Sequence, residues 1–294
     1  MSDSSDEDIP MNRIVKLSDI RTIADLYKSS VLKAPAIGQA KFKPNNAFLD
    51  RVSLFQGDIT ELQVDSIVNA ANKSLLGGGG VDGAIHAAAG RELLKECSTL
   101  KGCDTGFSKI TGAYKLPSKH IIHTVGPVYS ASFADIKARQ LESCYQTSID
   151  LAVERSLRHI AFPSISTGVY GYPIEDATHI ALNVVRKHFE SERQSDFKLD
   201  RAIFVVWSDK DKSVYESLIP EYFPPSDEIK LLDAEETEDE SDSQAEPVPE
   251  SQIDEELEEV EKAEGNIANN GAEEVVNPQE EHVLETSEED TKTT

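Results

Sequence analysis

Apolar residues recur along the middle of the chain in two patterns. Short, nearly continuous apolar runs such as HIAFPS predict buried strands, because a strand covered on both faces carries few polar residues. Longer segments with apolar residues at helical spacing lie between these runs and predict helices. The predicted strands cover residues 51–56, 64–70, 119–125, 159–164 and 201–207, and the predicted helices cover residues 83–97, 133–156, 175–189 and 212–218.

This alternation indicates an α/β layer architecture with a mostly buried, largely parallel sheet. Before the first strand, the segment that begins KLSDIRTIADLYK at Lys16 has helical apolar spacing, and we expect a helix there that packs on the domain. Ligands of such sheets bind at the carboxyl ends of the strands. The loops that leave the strands at 64–70, 159–164 and 201–207 therefore form the candidate site.

Charge is distributed very unevenly along the chain. Residues 231–294 contain 24 acidic residues and two lysines, which accounts for −22 of the formal net charge of −25. The same segment has no Phe, Trp or Tyr, so it has too little apolar surface to offset the entropy lost on folding. We predict a disordered acidic N-terminus at 1–12, a helical extension at 13–48, one domain at 49–226, and a disordered acidic tail at 227–294 that can contact basic partners.

Composition also disfavours several classes of function. A near-neutral domain with an acidic tail lacks the positive field that direct nucleic-acid binding needs. No 18-residue apolar run predicts a membrane span, so we expect a soluble protein of the nucleus, the cytoplasm or both, and a monomer. Three cysteines without a C-x-x-C pair and seven histidines without H-E-x-x-H indicate neither a disulfide framework nor a metal site.

Four consecutive glycines, residues 77–80, precede the first long helical pattern. The stretch GGGVDG at 78–83 matches G-x-G-x-x-G only formally, because no acidic residue follows at the end of a second strand, and no Gly-Lys-Ser/Thr completes a Walker A motif. Glycines at a helix start leave backbone N–H groups free to bind a phosphate. Asp82 would repel a phosphate placed directly on it, so we expect it to face an uncharged part of the ligand, such as a ribose.

A second loop of the same character, PSISTGVYGYP, follows the strand at 159–164. It is a further backbone-rich anion cradle, and two such loops in one sheet suit a diphosphate better than a single phosphate. Tyr170 is placed to cover whatever lies in it. The small and hydroxyl-bearing residues of this loop are Ser164, Ser166, Thr167, Gly168 and Gly171.

Four other residues have either a structural or a binding interpretation. Asp58 caps a turn or accepts a hydrogen bond from an exocyclic amine such as that of adenine. Asn69 and Asn72 flank two alanines at a strand end, where their amides either cap the backbone or bind sugar hydroxyls. Trp207, the only tryptophan, is either core or a stacking platform for a base.

Six ordered motifs together resemble macrodomains of the MacroD type. They are GDIT at 57–60, NAAN at 69–72, GGGGVDGAIHAAAG at 77–90, GCDTG at 102–106, IHTVGP at 122–127 and STGVYGYP at 166–173. The resemblance covers roughly residues 50–220, and the segment before Phe48 is similar to an extension that MacroD-type proteins carry. It implies a three-layer α/β/α fold with a central mixed, mostly parallel sheet, so that residues 49–226 are the macrodomain.

The resemblance also implies an ADP-ribose pocket and an activity. Asp58 and Ile59 would hold the adenine with Trp207 packed near it, while Asn69, Asn72 and Asp82 would surround the distal ribose and form the catalytic set. MacroD-type proteins remove ADP-ribose from acidic side chains of mono-ADP-ribosylated proteins and deacetylate O-acetyl-ADP-ribose, without a cofactor. The diphosphate would lie on Gly77, Gly78, Gly79, Gly80, Val81, Ser166, Thr167, Gly168, Val169 and Tyr170.

Two other functions stay open. A non-hydrolytic reader would bind ADP-ribosylated proteins and use its tail to recruit others, and a phosphatase would act on ADP-ribose 1″-phosphate. Asp82 beside Asn72 favours hydrolysis, because a reader can dispense with a carboxylate at the distal ribose. A helix cap is the structural alternative for Asp82, and His86, four residues later, is expected to be a packing histidine.

Overall fold

The apolar runs of the sequence form strands in the structure, a computed structural model that describes residues 13–36, 38–192 and 199–226. The disorder predicted for residues 1–12 and 227–294 lies outside these described residues. The strands are β1 (Val15–Lys16), β2 (Val52–Gln56), β3 (Leu62–Gln63), β4 (Ser66–Ala71), β5 (Ser108–Gly112), β6 (His120–Val125), β7 (His159–Pro163) and β8 (Arg201–Val206).

The longer amphipathic segments form helices between the strands. Short 3₁₀ helices at Leu17–Asp19, Ile59–Glu61 and Ala131–Phe133 complete the connections. None of the helices in the described part of the chain is long and apolar enough to cross a membrane. The α-helices are α1 (Ile23–Lys28), α2 (Asn46–Leu49), α3 (Gly80–Ala89), α4 (Arg91–Thr99), α5 (Ala134–Glu154), α6 (Ile174–Ser191) and α7 (Asp209–Tyr222).

Six strands form one mixed sheet in the order β2-β8-β7-β4-β6-β5. The first five run parallel, and β5 pairs antiparallel with β6 at the edge. The carboxyl ends of the five parallel strands therefore lie along one side of the sheet. After β4, the chain adds β6 on one side and β7 on the other, so the strand order reverses at β4, which is where α/β sheets bind ligands.

Alternate residues of the buried strands face two separate hydrophobic layers. In β8, Phe204 and Val206 point to the layer that α5, α6 and α7 cover, whereas Ile203 and Val205 point to the layer that α3 and α4 cover. This two-sided burial explains the continuous apolar runs of the sequence. The predicted three-layer α/β/α fold with a mixed, mostly parallel sheet is confirmed.

The predicted single helix at 83–97 is wrong. Two helices, α3 and α4, meet at Gly90, whose φ of +88° lies in the left-handed region that favours glycine. The backbone N–H of Gly90 still donates to the His86 carbonyl oxygen, which ends α3. Helical apolar spacing continues through AAAG into α4, so periodicity alone did not reveal the break.

Other element boundaries also differ from the prediction. The strand β5, with the sequence SKITG, was missed because it is a partly polar edge strand without a long apolar run. The last helix begins at Asp209 rather than at residue 212, since Ser208 caps it by accepting a hydrogen bond from the Asp211 N–H.

The predicted helix from Lys16 is also largely wrong. Val15 and Lys16 pair in parallel with Leu62 and Gln63 in a two-stranded sheet, and only Ile23–Lys28 forms an α-helix. Thr22 caps that helix through a reciprocal pair of hydrogen bonds with Asp25. The extension nevertheless packs into the domain core.

Tyr27 joins this extension to the end of α7. Its ring is 1% exposed, and its hydroxyl donates a hydrogen bond to the carbonyl oxygen of buried Phe223 at 3.0 Å. We expect Tyr27→Phe to lower the free energy of unfolding by roughly 1–3 kcal/mol, because the Phe223 carbonyl loses a buried donor. Chemical denaturation checks this, with Tyr114→Phe at an exposed ring as the matched control. Equal stability of both variants and the wild type would contradict the role of Tyr27.

Candidate active site

One large cavity opens at the carboxyl side of the parallel sheet. It has a volume of about 650 Å³, within the usual range for sites that bind small molecules. Segments that follow β2, β4, β6, β7 and β8 all reach it. Its lining comprises Gly57, Asp58, Ile59, Ala70, Ala71, Asn72, Gly78, Gly79, Gly80, Val81, Asp82, Ala84, Gly126, Pro163, Ser164, Ser166, Thr167, Gly168, Val169, Tyr170, Val205, Val206, Trp207 and Asp211.

The glycine run forms one wall of the cavity and leads into α3. A Cβ on Gly78 would lie 3.1 Å from both Asn72 Nδ2 and Asp82 Oδ2, so Gly78 lets these side chains approach the backbone. A Cβ on Gly79 or Gly80 would meet open space. Gly79 is the N-cap of α3 and offers no side-chain acceptor to the first turn. The N-terminal amides and the dipole of α3 are therefore available to an anion in the cavity.

Asn72 organises this wall. Its Nδ2 donates to the Gly77 carbonyl oxygen at 2.7 Å, and its Oδ1 accepts hydrogen bonds from Ser74 N at 2.9 Å and Ser74 Oγ at 2.6 Å. Asn72 lines the cavity, whereas Gly77 does not. Asn72 thus caps the backbone in this structure, as one of its two interpretations predicted. The same contacts hold its amide at the edge of the cavity.

Asp82 lies on the first turn of α3 and is only 3% exposed. Its Oδ1 accepts a hydrogen bond from Asn69 Nδ2 at 2.7 Å and lies 3.5 Å from His86 Nε2. None of the described residues donates a hydrogen bond to Oδ2, which stays available to a ligand or water. Asn69 itself is fully buried behind Asp82 and does not line the cavity. Direct ribose contact by Asn69 is therefore not supported by its placement.

The loop after β7 forms the opposite wall. Ser166 takes a left-handed φ of +67°, and its carbonyl oxygen accepts from the Tyr172 N–H, which folds the loop back on itself. A Cβ on Gly168 would meet open space, as on the first wall. Val169 is 95% exposed at the rim. The structure thus brings the two predicted loops together across one cavity.

A third contributor, Gly126, was missed in the sequence-based site. A Cβ there would lie 2.1 Å from Ser166 Oγ, so only glycine lets the loop after β6 pass beneath the loop after β7. The available signal was the glycine that directly follows the apolar run of β6. Asp211 was missed as well. It reaches the cavity from the first turn of α7, and the predicted helix began only at residue 212.

Asp58 and Ile59 lie at the end of the cavity formed by β2 and β8. Asp58 Oδ1 accepts hydrogen bonds from Thr60 N at 2.8 Å and Thr60 Oγ1 at 2.7 Å, so Asp58 does cap a turn. Within the described part of the chain, no donor reaches Oδ2. Trp207 lines the cavity but is 75% exposed, which excludes the core interpretation and leaves one face for stacking.

Beneath Asp82 lies a cluster of partly buried His86 with buried Cys97 and His123. The side-chain atoms of these residues that could bind a metal ion all lie within 4.8 Å of one another. Burial, and secondarily the charge of His86, lowers the pKa of His123 to about 3, so this ring is neutral. Burial raises the pKa of Cys97 to about 11. His86 Nε2 is buried and makes no hydrogen bond within the described residues, and it lies 3.5 Å from Asp82 Oδ1.

The other two cysteines offer no nucleophile either. Cys103 and Cys144 are buried free thiols, and burial raises the pKa of both, for Cys144 to about 11. A thiol held in its protonated form is a poor nucleophile. Asp82, with one free oxygen at the cavity wall, is in a position to accept a hydrogen bond from a water molecule.

Comparison with known proteins agrees with this geometry. The family model described as Macro domain matches residues 68–181. The chain is 50% identical over 191 residues to rat ADP-ribose glycohydrolase MACROD1, with 65% of this chain and 73% of the rat protein covered. It is 46% identical over 210 residues to human ADP-ribose glycohydrolase MACROD2, with 71% of this chain but 48% of the human protein covered.

A solved structure shares both sequence and fold with the chain. The Trypanosoma brucei macrodomain in complex with ADP-ribose is 39% identical and superposes with a TM-score of 0.59, with 70% of this chain and 77% of that chain covered. Identity of this extent across most of the rat relative, together with the shared fold, shows that the chain belongs to the macrodomain family, as a protein of the MacroD type.

Proposed function

We propose that this protein is a hydrolase that binds ADP-ribose and cleaves ADP-ribosyl esters. Its substrates are proteins mono-ADP-ribosylated on Asp or Glu, and O-acetyl-ADP-ribose. The observation that carries the proposal is the position of Asp82, a buried carboxylate with one free oxygen between two anion-binding walls. The relatives named ADP-ribose glycohydrolases and the macrodomain solved with ADP-ribose support this function.

In this proposal the parts of ADP-ribose lie along the cavity in order. Asp58 Oδ2 accepts a hydrogen bond from the adenine amine, and the exposed face of Trp207 packs near the base. The diphosphate bridges the two walls, where Gly79 and Gly168 leave the backbone open. The distal ribose then reaches Asn72 and Asp82. Every charged group of the ligand thus meets backbone N–H groups rather than a carboxylate.

The chemistry needs one positioned water. Oδ2 of Asp82 accepts a hydrogen bond from the water while Oδ1 is held by Asn69. In an ester to a modified Asp or Glu, the water oxygen bonds to the ribose carbon, the bond from that carbon to the ester oxygen breaks, and the carboxylate leaves with the electron pair. In O-acetyl-ADP-ribose the water oxygen bonds to the acyl carbon, and the ribose oxygen leaves with the electron pair and takes up a proton. A carboxylic acid has a pKa of about 4, so the leaving group needs little help from a general acid. The water proton passes to Asp82 or to a phosphate oxygen of the ligand.

Several finer assignments belong to the same proposal. The protein needs no cofactor, binds neither nucleic acid nor membrane, and acts as a monomer in the nucleus, the cytoplasm or both. Its acidic tail serves to contact basic partners, in keeping with a charge of −22 over residues 231–294. Two other functions are a reader of ADP-ribosylated proteins and an ADP-ribose 1″-phosphate phosphatase. The product that the protein releases distinguishes each of them from the proposed hydrolase.

The first test is hydrolysis by Asp82→Asn, which keeps the shape of the side chain and can still bond to Asn69. We expect its kcat on a peptide mono-ADP-ribosylated on glutamate to fall by about 100-fold or more, because the water loses its anionic acceptor. Released ADP-ribose is followed by mass spectrometry, and affinity for ADP-ribose by calorimetry.

Asp104→Asn, at an exposed loop carboxylate, is the matched control and should keep the wild-type rate. Tight ADP-ribose binding by a wild-type protein that releases nothing would identify a reader instead. Phosphate release from ADP-ribose 1″-phosphate without ester hydrolysis would identify the phosphatase. An unchanged rate for Asp82→Asn would remove Asp82 from the chemistry.

Base recognition by Asp58 gives a second prediction. Inosine diphosphate ribose carries a carbonyl where adenine has its amine, so it should bind the wild type about 10-fold or more weakly than ADP-ribose does. In Asp58→Asn, whose amide can donate to that carbonyl, the preference should shrink toward equality. Calorimetry with both ligands measures the ratio, and Asp209→Asn near the same end of the sheet serves as the control. The same ratio in all three proteins would exclude amine recognition by Asp58.

A further inference from the structure

A continuous chain of buried hydrogen bonds leads from Asp82 away from the cavity. Asn69 Nδ2 donates to Asp82 Oδ1 at 2.7 Å and lies 3.1 Å from His123 Nδ1. The other ring nitrogen of His123, Nε2, lies 2.9 Å from Thr111 Oγ1, which donates in turn to the Gly112 carbonyl oxygen at 3.1 Å. Asp82, Asn69, His123 and Thr111 are each 3% exposed or less.

With the Asn69 amide in this orientation, one arrangement of protons satisfies this chain. The Asn69 NH₂ group has two hydrogens and no acceptor, so one hydrogen goes to Asp82 and the other to His123 Nδ1. Nδ1 must therefore be the unprotonated nitrogen of the ring. Nε2 then carries the proton and donates it to Thr111 Oγ1, whose own hydrogen points to Gly112. The direction of each bond follows from the one before it.

The unpartnered oxygen of Asn69 shows that this orientation is selected. Asn69 is fully buried, and its Oδ1 has no hydrogen-bond partner among the described residues. Leaving a buried acceptor unsatisfied is unfavourable. A flipped amide would not relieve it, because Oδ1 would then lie against the acceptor Asp82 Oδ1. Asp82 thus selects the orientation of the amide, and His123 Nδ1 accepts its second hydrogen.

We propose that His123 is a positioning residue of the active site, which holds the Asn69 amide by accepting its second hydrogen and through it keeps the Asp82 carboxylate in its reactive place. The inference rests on the proposed ester hydrolysis, and it assigns His123 no contact with the substrate. The pair of bonds on the Asn69 NH₂ group locks Oδ1 of Asp82, and Oδ2 is left to face the cavity.

The surroundings of His123 keep it in the form that this role requires. His86 is 6.1 Å away between ring centroids, and Cys97 Sγ lies 3.7 Å from Nε2. Neither group is an anion that would stabilise an imidazolium, because the Cys97 thiol is protonated. Burial and the charge of His86 lower the pKa of His123 to about 3. Nδ1 therefore remains an acceptor throughout the physiological range of pH.

A pair of variants at one position tests the proposal. His123→Leu fills a similar space without an acceptor, whereas His123→Asn places its Oδ1 near the position of Nδ1. We expect kcat for ester hydrolysis to fall about 10-fold or more in His123→Leu and to stay within about 3-fold of the wild type in His123→Asn, since a misplaced catalytic group slows the chemical step. Affinity for ADP-ribose should change by less than about 3-fold in both, because His123 lies outside the cavity.

Cys97→Ala is the matched control for disturbed packing. It removes a buried neighbour that contacts His123 Nε2 and not the Nδ1 that faces Asn69, so it should lower the melting temperature without lowering kcat. An equal loss of kcat in His123→Leu, His123→Asn and Cys97→Ala would mean that His123 acts only through packing, and would overturn the proposal. So would a wild-type kcat in His123→Leu.

The tautomer is read independently of activity. Nitrogen-15 NMR of the wild-type protein should show His123 with an unprotonated Nδ1 and a protonated Nε2, and the pattern should persist from pH 8 to about pH 5, as the lowered pKa requires. A protonated Nδ1 would overturn the hydrogen-bond assignment even in a protein that hydrolyses esters. If the wild-type protein binds ADP-ribose but hydrolyses no ester, the proposed hydrolysis is wrong. The tautomer of His123 then still tests the proposed hydrogen bonds independently.

Discussion

The parallel alignment of five strands is the constraint on which the rest of the structure depends. Parallel strands place all their carboxyl ends on one side of the sheet, so five separate chain segments must turn there. The cavity lies where these turns converge, next to the reversal of strand order at β4. Helices on both faces bury the sheet, so a ligand at this edge meets the loops that follow the strands.

Small residues let the loops converge without filling the cavity. Gly78 and Gly126 are required by close contact, with Asn72 and Asp82 in the first case and with Ser166 in the second. Gly79 and Gly168 are different, because a side chain there would meet open space. The first pair shapes the walls and the second pair keeps the backbone open toward the ligand. Four consecutive glycines lose much conformational entropy on folding. That cost accompanies both the close contacts in the wall and the open backbone toward the ligand.

A buried carboxylate must have fixed partners to remain charged and correctly placed. For Asp82 the partner is the Asn69 amide, which lies on the side away from the cavity and is held by His123. The residues that touch the ligand and the residues that orient them are therefore arranged in two successive layers. This division explains why Asn69, although close to Asp82, does not line the cavity.

The sequence by itself determined the buried strands, the two glycine-rich loops and the carboxylate between them, because apolar runs and glycine clusters act through local chemistry. It did not determine the break at Gly90, the edge strand β5, or the contacts of Gly126 and Asp211. Those depend on segments far apart in the chain. Only the tertiary structure placed His123 behind Asn69, because strands β4 and β6 pair in the register that sets Asn69 opposite His123. Register is a property of two strands together, and no pattern within either strand specifies it.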